Sequence, residues 1–141
     1  AIRHEMAEHN KSLAEAAQMA GVETSLDYAT FQNYGYMGLY GGLRAADIKV
    51  RKGLKKSQNI LDHMGSTELA ANLFRATQTD EKLRRDNVQG KAAANQVHYQ
   101  VGAKVRQTIK DLGGTMPEDL PTPEKSIKQL EREQEKKKLK E

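Results

Sequence analysis

The side chains that could do chemistry in this chain are few, and their spacing decides which chemistry is open to them. His4 and His9, in HEMAEH near the start, lie five residues apart. On a helix that separates them by about 140°, whereas two metal ligands on one face need a step of four. His63 and His98 stand singly, and the chain has no cysteine to join them. Both are expected to be ordinary hydrogen-bonded histidines. The glycines of GYMGLYGGL follow no strand and lack GxGxxG spacing, so they are not a dinucleotide fingerprint. Gly90-Lys91 lacks the earlier glycine and the following Ser or Thr of a phosphate loop. No GxSxG, no paired carboxylates and no nucleophile with a neighbouring base can be read out. The expectation is a protein that is not an enzyme, with no metal site and no cofactor.

Two neighbouring features could instead bind a partner. Between Arg44 and Lys56 lie six cations, Arg44, Lys49, Arg51, Lys52, Lys55 and Lys56, against the single acid Asp47. The formal net charge of the whole chain is only +4, so this stripe and the basic tail hold its excess. A concentrated stripe attracts polyanions or acidic protein faces more strongly than spread charge does. Four of the five tyrosines and one of the two phenylalanines fall between Tyr28 and Tyr40, immediately before it. Tyr34, Tyr36 and Tyr40 could stack on single-stranded bases while the stripe holds phosphates. The alternative, which is favoured, is that these rings form the aromatic core of a domain poor in large apolar groups, with glycines permitting close helix packing.

At 141 residues the chain is one domain's worth, able to bury about two thirds of its unfolded surface. The absence of cysteine fits a reducing compartment. No apolar run approaches the ~18 residues of a membrane span, and AIRHEMAEH is no signal core. A cytoplasmic, bacterial-type protein is expected. No capping residue precedes the first helical pattern, as expected of a chain that begins inside a longer protein or helix.

Apolar residues recur at helical steps throughout, and the fold class is all-α: a single-domain bundle of short helices over 1–121 with one long helix, followed by a basic charged tail over 122–141. Ile2, Met6, Leu13, Ala17 and Ala20 mark a first helix ending at Gly21. Thr24 and Asp27 outline a capping box for a second, which carries Tyr28, Phe31 and Tyr34 before the glycines at 35, 38, 41 and 42 loosen it. A short helix turns Leu43, Ile48 and Leu54 inward and ends near Gly53. Ser57 caps a helix holding Ile60, Leu61 and Met64. Gly65 turns the chain, and Ser66 caps a further helix with Leu69, Leu73 and Phe74 inward. Thr79, followed by Asp80 and Glu81, signals a separate start, ending near Asp86. The longest helix, about 90–112, presents Val97, Val101, Val105 and Ile109 as one buried stripe against Leu69, Leu73 and Phe74, and stops at Gly113 and Gly114. TMPEDLPTP is a strap or hinge. Thr122 and Pro123 start a last helix whose apolar seam ends after Ile127 and Leu130, leaving the rest of the tail solvated.

The pair of elements around Gly65 has the outline of a DNA-reading helix-turn-helix, but its second helix would offer Thr67 and Glu68 to the groove. An acid facing phosphates is repulsive, which favours an ordinary helical hairpin.

Four blocks carry a resemblance. FQNYGYMGLYGGL, RKGLKKSQNILDHMGSTELAANLFRATQT, VGAKVRQTI and LGGTMPEDLPTP together resemble the carboxy-terminal part of the DNA-damage-inducible protein D family of the bacterial SOS response, from about Glu8 to Leu130. Members of that family carry an additional amino-terminal domain of the viral BRO type. The resemblance implies a modulator of recombination that associates with RecA-type recombinase filaments on single-stranded DNA and restrains strand exchange. It brings no catalytic residue with it. The alternative is a DNA-binding regulatory module related to phage antirepressors, acting through the Gly65 hairpin or the stripe.

Overall fold

The computed structural model describes residues 2–123 and 132–137. Among these residues the fold is all-helical, with no strand. Five α-helices form it: α1 (Ile2–Met19), α2 (Ser25–Leu39), α3 (Ala45–Lys52), α4 (Ser66–Arg85) and α5 (Lys91–Asp111), with 3-10 turns at Ile60–His63 and Pro117–Asp119. No helix among the described residues is long and apolar enough to cross a membrane.

Local chemistry sets most of the boundaries. Thr24 caps α2, its hydroxyl accepting from Asp27 N at 3.0 Å. Asp47 returns to the Arg44 amide at 3.0 Å, satisfying an orphan donor at the start of α3. Gly53 ends α3 in the left-handed region, φ 71°, where a Cβ would be strained. The turns after α1 and α4 lie against each other, with Gly90 N donating to Ala20 O at 2.6 Å.

Those touching turns align two helical hairpins. Helix α1 runs beside α4 in the same direction, with Ser12 at Asp80 and Met19 at Arg84. Helix α2 runs beside α5, also in parallel: Asp27 meets Lys91, Phe31 meets His98, and Leu39 meets Arg106. The α2–α5 contact is close because Gly35, Gly38 and Gly102 face one another across it. A Cβ on Gly102 would stand 2.7 Å from Gly35 O and 2.9 Å from Leu39 N, and one on Gly38 would strike the Tyr99 carbonyl. Met6, Leu13, Phe31, Leu39, Met64, Leu69 and Leu83 fill the core between the helices.

Several expectations require correction. Gly35 and Gly38 do not loosen α2; the helix continues through both, because the missing side chains are what let α5 approach. Thr79 starts nothing. It lies in the middle of α4, buried, its hydroxyl donating to Arg75 O at 2.7 Å, so its polar group is satisfied within the helix instead of capping it. The helix expected after Ser57 is one 3-10 turn capped by Asn59, whose Oδ1 accepts from Leu61 N at 3.0 Å. A four-residue turn cannot serve as the first helix of a helix-turn-helix, so the Gly65 hairpin is not a DNA-reading motif. The inward side of α5 is Ala94, His98, Gly102 and Val105, turned mainly to α2; of the expected stripe Val105 is buried as expected, while the line through His98 and Gly102 runs one position round from Val97 and Val101. Val97, Val101 and Ile109 are half-buried, and Phe74 is 51% exposed. Of the expected last helix, 124–131 with Ile127 and Leu130 lies outside the described residues, while 132–137 is helical and exposed.

The glycine seam leads to a stability test. Gly102→Ala gains about 1 kcal/mol of helix propensity, but its methyl meets backbone atoms that cannot rotate away, and overpacking of this kind costs 1–3 kcal/mol or more. We expect the clash to win by about 2 kcal/mol, lowering the thermal midpoint by about 8 °C. An unchanged or raised midpoint would show that α2 and α5 are not held this closely.

Candidate nucleic-acid and partner interface

The stripe is built by α3 and the loop that follows it. Lys49, Arg51 and Lys52 occupy the last turn of α3, where cations favour the helix dipole. Beyond Gly53 the chain doubles back: Lys49 Nζ donates to Lys56 O at 2.8 Å, and Gln58 Oε1 accepts from Lys55 N at 2.7 Å. Lys55 and Lys56 are thereby held beside α3, with Arg44 at its other end. All three are exposed.

The remaining cations of the stripe have structural partners. Arg51 is exposed, but its guanidinium donates to Asp119 at 2.7 Å and to the Glu118 carbonyl at 2.8 Å. Its neighbour on the strap, Glu118, takes a bidentate pair from Arg106 at 2.7 and 2.9 Å. Burial raises the Glu118 pKa, but hydrogen bonding and charge from Arg106 outweigh it and hold that carboxyl below its usual value. The strap 116–123 is thus fastened to the domain, with Pro117 buried.

Lys52 is not a surface cation. Its side chain is 7% exposed and that of Glu68 1%, with Nζ to Oε1 at 2.8 Å; the same ammonium donates to His63 O and Thr122 Oγ1. From there a polar chain crosses the core. Tyr40 donates its hydroxyl to Glu68 and accepts from Asn72 Nδ2 at 3.0 Å; Asn72 Oδ1 accepts from Arg75 at 3.2 Å; Arg75 donates to His98 Nε2; and His98 Nδ1 donates to Phe31 O at 2.8 Å. The Arg75 guanidinium also sits 5.2 Å from the centre of the Tyr36 ring, a cation–π arrangement. Burial and the adjacent Glu68 carboxylate push the Tyr40 hydroxyl well above its usual range, keeping it protonated as a donor.

Of the rings considered for base stacking, Tyr36 and Tyr40 are buried and Tyr34 is half-buried on α2. In this arrangement Tyr36 and Tyr40 are core, not stacking platforms. The sequence reading missed the buried network. Its signal was there: Glu68, Asn72, Arg75 and Thr79 step by four, three and four, a polar line at the period of the inward face of α4. Among the described residues no group of three His, Asp or Glu is placed to hold a metal ion.

The family model for the DinD C-terminal domain matches residues 1–130. The chain belongs to that family. A curated relative, DNA damage-inducible protein D of Escherichia coli (strain K12), is 70% identical over 130 residues, which are 92% of this chain and 47% of that protein. The chain therefore spans about half the length of this relative. No solved structure matches. The five helices described above thus give a structural account of a DinD C-terminal domain.

Two stability predictions follow from the network. Lys52→Glu would press a second carboxylate onto buried Glu68, and breaking such a pair costs about 3–5 kcal/mol. Lys55→Glu and Lys56→Glu, on exposed positions, should stay within about 0.5 kcal/mol of the parent in urea melts. Equal losses at all three sites would contradict the buried placement of Lys52.

Burial, aided by the Arg75 charge and opposed by the bond to Phe31 O, holds the His98 pKa well below the ordinary 6.5. The unfolded chain takes up a proton there near pH 6.5 that the folded chain refuses, so the folded state loses ground as pH falls through that value. Stability at pH 5.5 should be lower than at pH 7.5 by about 1.4 kcal/mol from this one group. His98→Gln should flatten that dependence in urea melts; an undiminished pH slope in the variant would assign it elsewhere.

Proposed function

We propose that this chain is a non-enzymatic module of the bacterial DNA damage response, working in the cytoplasm, that binds a RecA-type recombinase filament on single-stranded DNA and restrains strand exchange. The observation that supports this reading most strongly is the 70% identity to a DNA damage-inducible protein over nearly the whole chain. The structure adds a surface suited to it. Arg44, Lys55 and Lys56 are exposed cations on one edge of the domain, held by α3 and its returning loop. Such an edge can take phosphates of the strand or acidic groups of the protein coat. Arg51 adds to that edge only where its pair with Asp119 opens. Lys49 and Lys52 serve mainly to shape it.

A filament presents both charge and a specific protein surface, so binding to filament should be much tighter than to bare strand. The test is a titration of the chain and of the triple variant Arg44→Glu, Lys55→Glu, Lys56→Glu against recombinase filament and naked single strand at two salt concentrations. The variant should lose filament binding and restraint of strand exchange while keeping its thermal midpoint. Salt-steep binding to bare DNA with no preference for filament would instead favour a direct DNA-binding module, since each phosphate contact releases counterions. Full filament binding by the variant would clear the patch of any role.

A further inference from the structure

Helices α4 and α5 leave between them a groove of about 450 Å³, walled by Ala71 and Phe74 of α4, by Val105, Ile109 and Leu112 of α5, and by Leu120 of the strap. None of the residues lining it is charged, in a chain of which 30% is. Phe74 is 51% exposed and Leu112 80%, although both are residue types usually found inside. Val97 and Val101, half-buried, continue the apolar line along α5. A contiguous apolar face on an otherwise charged surface marks a docking site.

The charges at its rim identify the occupant. Lys104, Thr108 and Asp111 follow steps of four and three, so they share one side of α5, and Thr108 itself lines the groove. Lys104 is exposed and has no ion pair among the described residues. Asp111 is exposed too, its Oδ1 accepting only from Gln107 Nε2 at 2.9 Å. The two opposite charges stand about 10 Å apart along the helix, with Thr108 between them. A partner of one sign would suit only one of them. A second α5 running antiparallel suits both, because a two-fold axis beside Thr108 lays each charge over its opposite.

We propose that the α4–α5 face pairs with the same face of a second copy of this chain, antiparallel about a two-fold axis beside Thr108. Lys104 meets the partner's Asp111, and Asp111 the partner's Lys104. Leu112, beyond the axis, enters the partner's groove. From Val97 to Leu112 the helix spans about 22 Å, and two packed helices are about 20 Å wide, so the face offers about 450 Å² per copy. About 900 Å² buried in all belongs to reversible association, not to a permanent dimer. Arg44, Lys55 and Lys56 do not line the groove, so a pair of copies presents two cationic edges and binds an extended polyanion with the gain of a bivalent ligand.

The experiment is sedimentation velocity on the whole 141-residue chain, from low micromolar to near-millimolar concentration. The parent should pass from monomer to dimer across that range. Leu112→Glu should remain monomeric throughout while keeping its thermal midpoint, since Leu112 is exposed in the single copy. Lys104→Glu and Asp111→Lys should each weaken the dimer about tenfold, because two attractive pairs become two repulsive ones. The double variant Lys104→Glu, Asp111→Lys restores both pairs with their signs exchanged and should return the dissociation constant to within about threefold of the parent's. A parent that is monomeric at every concentration overturns the proposal, as does a Leu112→Glu variant that dimerises like the parent. A double variant no better than the single ones overturns the antiparallel pairing. A monomeric parent whose Leu112→Glu variant loses filament binding also overturns it, and gives this face to the filament. The cationic edge is tested by its own variants, so either reading can fail without the other.

Discussion

A guanidinium sits in the middle of this fold with no carboxylate of its own. Arg75 is 1% exposed, and the buried carboxylate of α4, Glu68, is committed to Lys52 and Tyr40. Burying a cation this way is costly, and what offsets the cost is a set of neutral groups that must each be in place: the Asn72 carbonyl, the Tyr36 ring, and the lone pair of His98 Nε2. His98 can offer that lone pair only as the neutral tautomer protonated on Nδ1, which its bond to Phe31 O selects. Arg75 on α4 thereby fixes the tautomer of a residue on α5, and that residue fixes the backbone of α2. Three helices are locked in register through one side chain.

That lock depends on the glycine seam. The imidazole of His98 occupies the space where a side chain at Gly35 would stand, so the polar contact and the close helix approach are one arrangement. A larger residue at 35 would displace the ring, free the Arg75 donor and leave a buried charge unmet. Apolar packing alone would not specify this geometry as tightly, because a core of Leu, Met and Ala tolerates small slips between helices whereas a hydrogen-bonded chain does not. The residue left unmatched, Arg75 Nε, is a stability cost accepted at the centre of the network.

The helical periods, the Thr24 cap, the left-handed Gly53 and the long final helix were legible in the sequence, since each is a local signal. Most of the errors came from tertiary partners that local rules cannot see. Thr79 looks like a cap because a threonine before two acids usually is one; here the same hydroxyl is satisfied four residues back along a helix kept continuous by its packing on α1. The valines of α5 define an apolar line, but the true contact line is drawn by Gly35 and Gly38 on another helix. Lys52 reads as one more cation in a basic run, and only the approach of Glu68, sixteen residues on, makes it a core residue. The tyrosines were legible as core, and the structure gives two of them, Tyr36 and Tyr40, roles in the polar network as well.

The division within the basic run follows from helix geometry. Residues 49 and 52 are three apart and so share one side of α3, the side turned to the returning loop and to α4, and their ammonium groups hold that loop and the start of α4 in place. Residues 44, 55 and 56 lie beyond the ends of the helix, held by their backbones with their side chains exposed. A run of six cations that looks uniform is therefore divided: an inner pair that costs stability when removed, an outer three that cost little, and Arg51 between them, exposed but paired with Asp119. Charge retained where it does not serve the fold is where a partner should be sought.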